Sequence, residues 1–354
     1  MGQNKAKDDF CVGIAGYGIY IPETYMTAAD VAEATKGQWT AEAVEKKLGF
    51  KKKPVPGPGD GTQEMGVKAG LAALKQGNID PKEIDLILCI GEEWKEYPLT
   101  TSGIYIQEKI GASNAWAIDV QQRCNTTIGA LKIAKDMMYA DDEINTVMIV
   151  GGYRNGDFID YTDPAVSFMF NLAAGGGALI LKKGYRKNQV LETHIMTDGS
   201  LARDAGVEYG GTEKPYEKLP KDVQDDLLTR GNLSLRVFES EHMKNRLNEV
   251  SMPNWFTCVD KALKKSGDMT RKDLGFLNVL HFKYSMYKYM LDEMGLTTDQ
   301  SVYLDEYGHV GQIDQIISIA EGVKQGKLKD GTVMAVIAAG IGYVWGATII
   351  RWGE

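Results

Sequence analysis

Cys124 is the residue best suited to chemistry in this 354-residue chain. It follows the apolar run Ala115 to Val120, which reads as a strand. It precedes a segment whose apolar positions Ile128, Leu131, Ala134 and Met138 recur at helical spacing. A cysteine there caps a helix N-terminus, where free backbone N–H groups and the positive end of the helix dipole favour the thiolate, the reactive form. Arg123 and the run Asn125-Thr126-Thr127 suit a turn that exposes the sulfur. That segment alone describes a buried core cysteine better than a reactive one. Two histidines shift the balance. His281 follows the apolar run Gly275 to Leu280, and His309 lies in Tyr307-Gly308-His309-Val310-Gly311, the second-half counterpart of the cysteine turn. A thiolate that attacks a thioester needs an imidazole to manage protons and donors to hold a developing enolate or oxyanion. His194 and His242 have no comparable context and read as structural or surface residues.

An internal repeat predicts the scaffold that must bring these loops together. Lys82 to Ile90 reads like Lys272 to Leu280, a polar helix exit running into an apolar strand. Thr146-Val147-Met148 recurs as Thr332-Val333-Met334, and Gly177 to Ile180 is echoed by Gly346 to Ile349. Continuous apolar runs such as Leu86 to Ile90 mark strands covered on both faces, which means α/β layers. The expected organisation is two similar halves, 1–185 carrying the nucleophile and 186–354 carrying the histidines. They form one intertwined unit about a pseudo-two-fold axis. Asp198 to Asp225 and Lys51 to Gly61, rich in Gly, Lys and Pro, read as surface excursions.

Composition bounds the rest. A chain that is 44% hydrophobic and 25% charged is globular, and a net charge of -8 argues against a nucleic-acid binder. The four cysteines form no CxxC pair and the four histidines lack zinc-ligand spacing, so neither a disulfide framework nor a metal site is expected. Thr332 to Ile350 is uncharged and long enough to span a bilayer, but Gly340, Gly342 and Gly346 divide it into two buried strands joined by a turn. Met1 to Asp9 is polar and reads as a frayed tail without a signal peptide's apolar core, so a cytoplasmic location is expected. Phe158, Tyr161, Phe168, Met169 and Phe170 fit an apolar acyl pocket, and fit core packing as well.

Several stretches resemble one family. Val12-Gly13-Ile14-Ala15-Gly16-Tyr17-Gly18-Ile19-Tyr20-Ile21-Pro22 is similar to its first strand and turn. Asp119-Val120 before Cys124, with Gly129-Ala130-Leu131 behind, is similar to its nucleophile strand and helix. Tyr307-Gly308-His309, Gly326 to Gly331 and Gly340 to Ala347 are similar to its closing sequence. Nearly end to end, the chain resembles the β-ketoacyl-ACP synthase III and HMG-CoA synthase branch of the thiolase superfamily. The resemblance implies a five-layer αβαβα fold, usually a homodimer, with no tightly bound cofactor. In it Cys124 is acylated from a CoA or carrier-protein thioester, and a second thioester becomes the carbon nucleophile. His281 then matches the histidine of the family's His-Gln-Ala-Asn motif. Backbone N–H groups of Cys124 and Ile341 would form the oxyanion hole, with Gly340 and Gly342 in the substrate-binding turn and Phe170 at the acyl group. Relatives of the HMG-CoA synthase type can also work with a small accessory subunit.

The departures are informative too. His309 stands where synthase III enzymes usually have asparagine, Ile341 where a glycine is usual, and Phe282-Lys283-Tyr284 replaces Gln-Ala-Asn after His281. Ala338 and Ala339 stand where thiolases carry a second cysteine, and Ala173 to Gly177 lacks the usual aspartate. Gly91-Glu92-Glu93 falls where HMG-CoA synthases place a catalytic glutamate, with Glu93 the better aligned; a solvated loop is the alternative. Lys51-Lys52-Lys53 suits either CoA phosphates or a plain solvated face. The expected function is a condensing acyltransferase forming a carbon–carbon bond. Its alternatives are a thiolase cleaving a 3-oxoacyl-CoA, HMG-CoA synthase-like condensation, acyl transfer to oxygen or nitrogen, and a non-catalytic scaffold subunit.

Overall fold

The computed structural model describes residues 10–230 and 233–354, so the tail read at Met1 to Asp9 lies outside the described residues. The first half runs β1 (Val12–Tyr20), β2 (Thr24–Thr27), α1 (Ala28–Ala34), α2 (Ala41–Leu48), β3 (Lys52–Val55) and α3 (Thr62–Gly77). It continues through β4 (Leu86–Cys89), α4 (Ser102–Ile110), β5 (Trp116–Asp119), α5 (Thr126–Ala140), β6 (Thr146–Tyr153) and β7 (Gly175–Lys183). The second half adds β8 (Gln189–Thr197), β9 (Ala205–Val207), α6 (Lys221–Arg230), β10 (Leu235–Val237) and α7 (Ser240–Lys265). It closes with β11 (Phe276–Val279), α8 (Tyr284–Met294), α9 (Asp314–Lys324), β12 (Val333–Gly340) and β13 (Val344–Arg351).

Nine strands share one sheet in the order β11-β12-β13-β8-β1-β7-β6-β4-β5. The two half-sheets meet at β1 and β8 through a single residue pair, Gly13 with Gln189. Outward from that seam the pattern repeats. Antiparallel β1–β7 and β7–β6 pairs lead to parallel β6–β4 and β4–β5, while antiparallel β8–β13 and β13–β12 lead to parallel β12–β11. An isolated parallel bridge from Ser301 to Leu277 occupies the place that β5 takes in the first half.

The layers follow from which faces are apolar. All four residues of β4 and all eight of β6 are buried, so both faces of these strands need cover. Each fully buried Ile or Leu there contributes about 1.5–3 kcal/mol relative to exposure. α3 covers β1, β6 and β7 from outside, and α7 covers β8, β12 and β13. Between the half-sheets lie α5, touching β6, β8, β12 and β13, and α9, touching β1, β7, β11 and β12. The result is the expected αβαβα arrangement. Thr332 to Ile350 is β12, a turn and β13, and no helix among the described residues is long and apolar enough to cross a membrane. The excursion read at Lys51 to Gly61 holds β3, which pairs with β2 and buries Lys53, while Asp198 to Asp225 includes β9, paired with β10.

Candidate active site

Cys124 sits in a one-turn 3-10 segment, Arg123–Asn125, between β5 and α5. Side chains lock this turn. The Gln122 N–H donates to Thr126 Oγ1 (2.8 Å), Asn125 Nδ2 to Gln122 Oε1 (2.7 Å), and Thr127 Oγ1 to the Gln312 carbonyl of the other half (2.6 Å). Arg123 takes a positive φ of 53°, a conformation that non-glycine residues rarely adopt. The sulfur lies just ahead of the α5 N-terminus, the positive end of a helix dipole that favours negative charge.

His309 meets that sulfur from the second half, with Nε2 at 3.1 Å from Cys124 Sγ. Its Nδ1–H donates to Asp314 Oδ2 at 2.6 Å, which fixes the tautomer that turns Nε2 toward the sulfur. Asp314, the first residue of α9, is fully buried and also accepts from the N–H groups of Val310 (2.7 Å) and His281 (2.8 Å). Burial alone would press the His309 pKa down. The Cys124 sulfur and the Asp314 carboxylate outweigh it and raise the value well above that of a free imidazole. Thiol, imidazole and carboxylate thus form a charge-stabilised triad. Asp314 escaped sequence reasoning. The signal available was its place five residues after His309 at a helix start, where a carboxylate commonly serves the helix itself.

His281 does not reach the sulfur's side of this arrangement with a free nitrogen. Its Nε2–H donates to the Gly49 carbonyl (3.1 Å), and its Nδ1 accepts from Asn171 Nδ2 (3.0 Å). Burial pushes its pKa down to about 4, so the ring is neutral at pH 7. In the Phe282-Lys283-Tyr284 segment that follows, the Phe282 carbonyl accepts from Tyr303 Oη and its ring stacks on Trp255.

The acidic pair beside the site divides its roles the other way round from the sequence expectation. Glu93, the expected acid, turns outward with 60% of its side chain exposed, whereas Glu92 is 3% exposed. Successive residues of an extended segment leaving β4 point to opposite sides, so only one of the two can face inward. Arg123 bridges both, with Nη1 at 2.5 Å from Glu92 Oε2 and Nη2 at 2.8 Å from Glu93 Oε1. Burial raises the Glu92 pKa against the pull of Arg123, with His309 within its field. Burial would raise that of Glu93 as well, but Arg123 outweighs it and holds the value low.

A cleft of about 300 Å³ opens beside the cysteine turn, lined by Gln121 to Arg123, Thr197 to Gly199 and Ile341 to Val344. A larger hollow, near Asp260, Lys264 and Arg271, lies away from these residues on the outer helical layer. Gly340 and Ile341 bring the β12–β13 turn onto the cysteine: a Cβ at Gly340 would stand 2.9 Å from Arg123 Cβ and 3.1 Å from the Cys124 nitrogen. The peptide bond between Gly342 and Tyr343 is cis. Phe170 lines no such cleft; its ring is wholly buried against Trp39 and Tyr161, because a large apolar ring gains most by packing. Phosphate capture by the lysine run finds no support either. Lys51 pairs with Asp305, Lys52 with Glu306, and Lys53 is buried.

Comparison with known proteins agrees with this fold. The family model described as 3-oxoacyl-[acyl-carrier-protein] synthase III matches residues 118–199, and that of its C-terminal part matches 263–352. A β-ketoacyl-[acyl-carrier-protein] synthase III of Clostridium acetobutylicum is 26% identical over 345 residues, spanning 96% of this chain and 98% of its own. The namesake from Aliarcobacter butzleri is 24% identical over 338 residues, spanning 95% and 96%. Among solved structures, the 3-oxoacyl-acyl-carrier-protein synthase III of Pseudomonas aeruginosa superposes with a TM-score of 0.82 at 17% identity, over 97% of this chain and 99% of that one. The enzyme from Aquifex aeolicus gives 0.80 at 20%, over 96% and 100%. One model covers the cysteine turn, its C-terminal companion covers both histidines, and the relatives align along nearly their whole length: in both halves the chain is similar to the β-ketoacyl-acyl-carrier-protein synthase III branch of the thiolase superfamily.

Proposed function

We propose that this protein is a condensing acyltransferase that carries its acyl group on Cys124. The observation behind this is the 3.1 Å contact of Cys124 Sγ with His309 Nε2, backed by Asp314. In the first half-reaction Sγ attacks the carbonyl of an acyl-CoA or acyl-carrier thioester. The carbon–sulfur bond to the carrier breaks, and the leaving thiolate takes its proton from the His309 imidazolium. The backbone N–H groups of Cys124 and Ile341 hold the oxyanion, and Gly340 and Gly342 let the substrate approach the turn. In the second half-reaction another thioester loses CO2 or an α-proton, its enolate carbon bonds to the acyl carbon, and Sγ departs as thiolate. The inward-facing Glu92, rather than Glu93, is the carboxyl placed to exchange a proton with the acceptor.

The relatives' name is that of a synthase, which supports synthesis over thiolytic cleavage of a 3-oxoacyl-CoA. An intact triad supports a working enzyme over a scaffold subunit. One observation favours a second reading, transfer to an oxygen or nitrogen acceptor: with both ring nitrogens of His281 engaged, a single histidine serves the sulfur, and such a transfer needs only one. The proposal includes a homodimer, a cytoplasmic setting, no tightly bound cofactor and room for a small accessory subunit.

Intact-protein mass spectrometry after exposure to a panel of acyl-CoA esters tests it. We expect an acyl adduct on the parent protein and none on Cys124→Ala. Absence of an adduct with every ester would sink the covalent mechanism. Adding malonyl-CoA, acetyl-CoA, free CoA or an alcohol to the adduct then separates decarboxylative condensation, direct condensation, thiolysis and heteroatom transfer.

A further inference from the structure

A lysine buried beside the triad serves no step of the reaction just described. Lys53, on β3, is fully enclosed, and its Nζ lies 2.7 Å from the Phe170 carbonyl, 2.6 Å from the Leu172 carbonyl and 2.7 Å from Tyr161 Oη. The described residues give it no carboxylate partner. A buried cation without a counter-ion is costly, so the site must hold it through hydrogen bonds alone. Three acceptors saturate an ammonium group.

The two carbonyls flank Asn171, and Asn171 is the residue on which both histidines register. Its carbonyl accepts from the His309 N–H (2.8 Å), its Nδ2 donates to His281 Nδ1 (3.0 Å), and the His309 carbonyl accepts from the Ala173 N–H (2.9 Å). Gly308, just before His309, fits against the same group: a Cβ there would lie 2.7 Å from the Asn171 carbonyl and 2.9 Å from Lys53 Cβ. The lysine therefore grips the segment that sets the His309 backbone.

We propose that Lys53 is a positioning residue: by drawing the carbonyls of Phe170 and Leu172 onto one nitrogen it fixes Asn171, and through Asn171 the distance of His309 from Cys124. The grip survives titration. Burial pushes the Lys53 pKa down to about 7, but the neutral amine keeps two N–H donors for the carbonyls and accepts the Tyr161 hydroxyl proton in place of donating to it. Tyr161 is the titratable group in direct contact. Beyond Asn171 stand His281, His309 and Asp314, and Asp157 acts on Tyr161 through its field.

The inference rests on Cys124 being the reacting thiol, but on no particular acyl donor. Its test is the pH profile of Cys124 alkylation by iodoacetamide, localised by peptide mass spectrometry, in Lys53→Met and the parent. We expect the variant, once shown folded by its thermal melt, to react at least tenfold more slowly at pH 6 and within twofold at pH 9.5. The inflection should rise by a unit or more, because a thiol deprived of its imidazole must ionise alone. In acyl transfer kcat should fall at least tenfold while KM for the donor stays within threefold. A merely structural lysine would lower the melting temperature and leave the profile in place, and that result overturns the proposal. If Lys53→Met does not fold, Tyr161→Phe, which removes one of three partners, should shift the inflection in the same direction by a smaller amount; a superimposable profile overturns the proposal. A parent whose Cys124 reacts no faster than a free thiol fails the nucleophile reading instead.

Discussion

Between Cys124 and Asp314 the His309 ring is pulled toward its protonated form, and that pull has a pH signature. The raised pKa comes from the sulfur and carboxylate overcoming burial, so the imidazolium persists above the 6.5 of a free ring and is lost only as pH rises through the raised value. The stability it contributes follows the same course: fully present below about 6.5, it declines on the alkaline side. Asp314→Asn keeps the shape but removes the charge and permits the wrong tautomer. We expect kcat to fall by about 10²–10⁴-fold, in line with losses of general acid–base function and of a histidine-orienting carboxylate. The alkaline limb of the rate profile should move to lower pH. A variant with kcat within threefold of the parent and an unmoved limb would remove Asp314 from the mechanism.

The elements that deliver these residues are short turns at the ends of strands and helices, and their tolerances are small. Where β12 ends, Gly340 touches the cysteine turn so closely that a methyl group has no room. Gly340→Ala should cost about 1–3 kcal/mol through overpacking. It should also lower kcat at least tenfold, because relief comes by moving either the Ile341 N–H or the Cys124 turn. Thermal melts together with initial rates check this, and a loss of stability with unchanged kcat would show that the turn yields elsewhere. At this scale the sequence was only partly legible. The strands at Leu86 and Thr146 and the helix after Cys124 were readable because unbroken apolar runs and 3.6-residue spacing report burial directly. The orientation of Glu92 against Glu93 was not, since it depends on where β4 stops. The withdrawal of His281 was not either, because its partners Gly49 and Asn171 lie 232 and 110 residues away.

At the scale of the whole molecule, the two edges of the sheet end differently. At the β11 edge the Ser301 bridge continues the pairing, whereas β5 closes the other edge with no further strand among the described residues. Near that edge Trp116, on β5, and Ile104, on the adjacent α4, are exposed at 47% and 55%. Unpaired edges beside exposed apolar groups invite association, so β5 is where we expect the proposed homodimer to form. Light scattering at tens of micromolar should give a dimer for the parent and a folded monomer for Trp116→Arg with Ile104→Asp; a monomeric parent would refute it. Fold class was legible from the repeated segments, because duplication leaves the same apolar rhythm twice. Which strand ends the sheet was not, because an edge strand carries the same local pattern as an inner one.

The pairing of Cys124 with His309 joins residues 185 positions apart, one from each half. A ribosome that has made only the first half has therefore made a cysteine without its base. In such a nascent chain the Cys124 sulfur has no His309 imidazole to meet. The contact forms only when α9 docks between the half-sheets and Asp314 brings His309 into place. Synthesis order thus keeps the proposed nucleophile apart from its base until both halves have folded together.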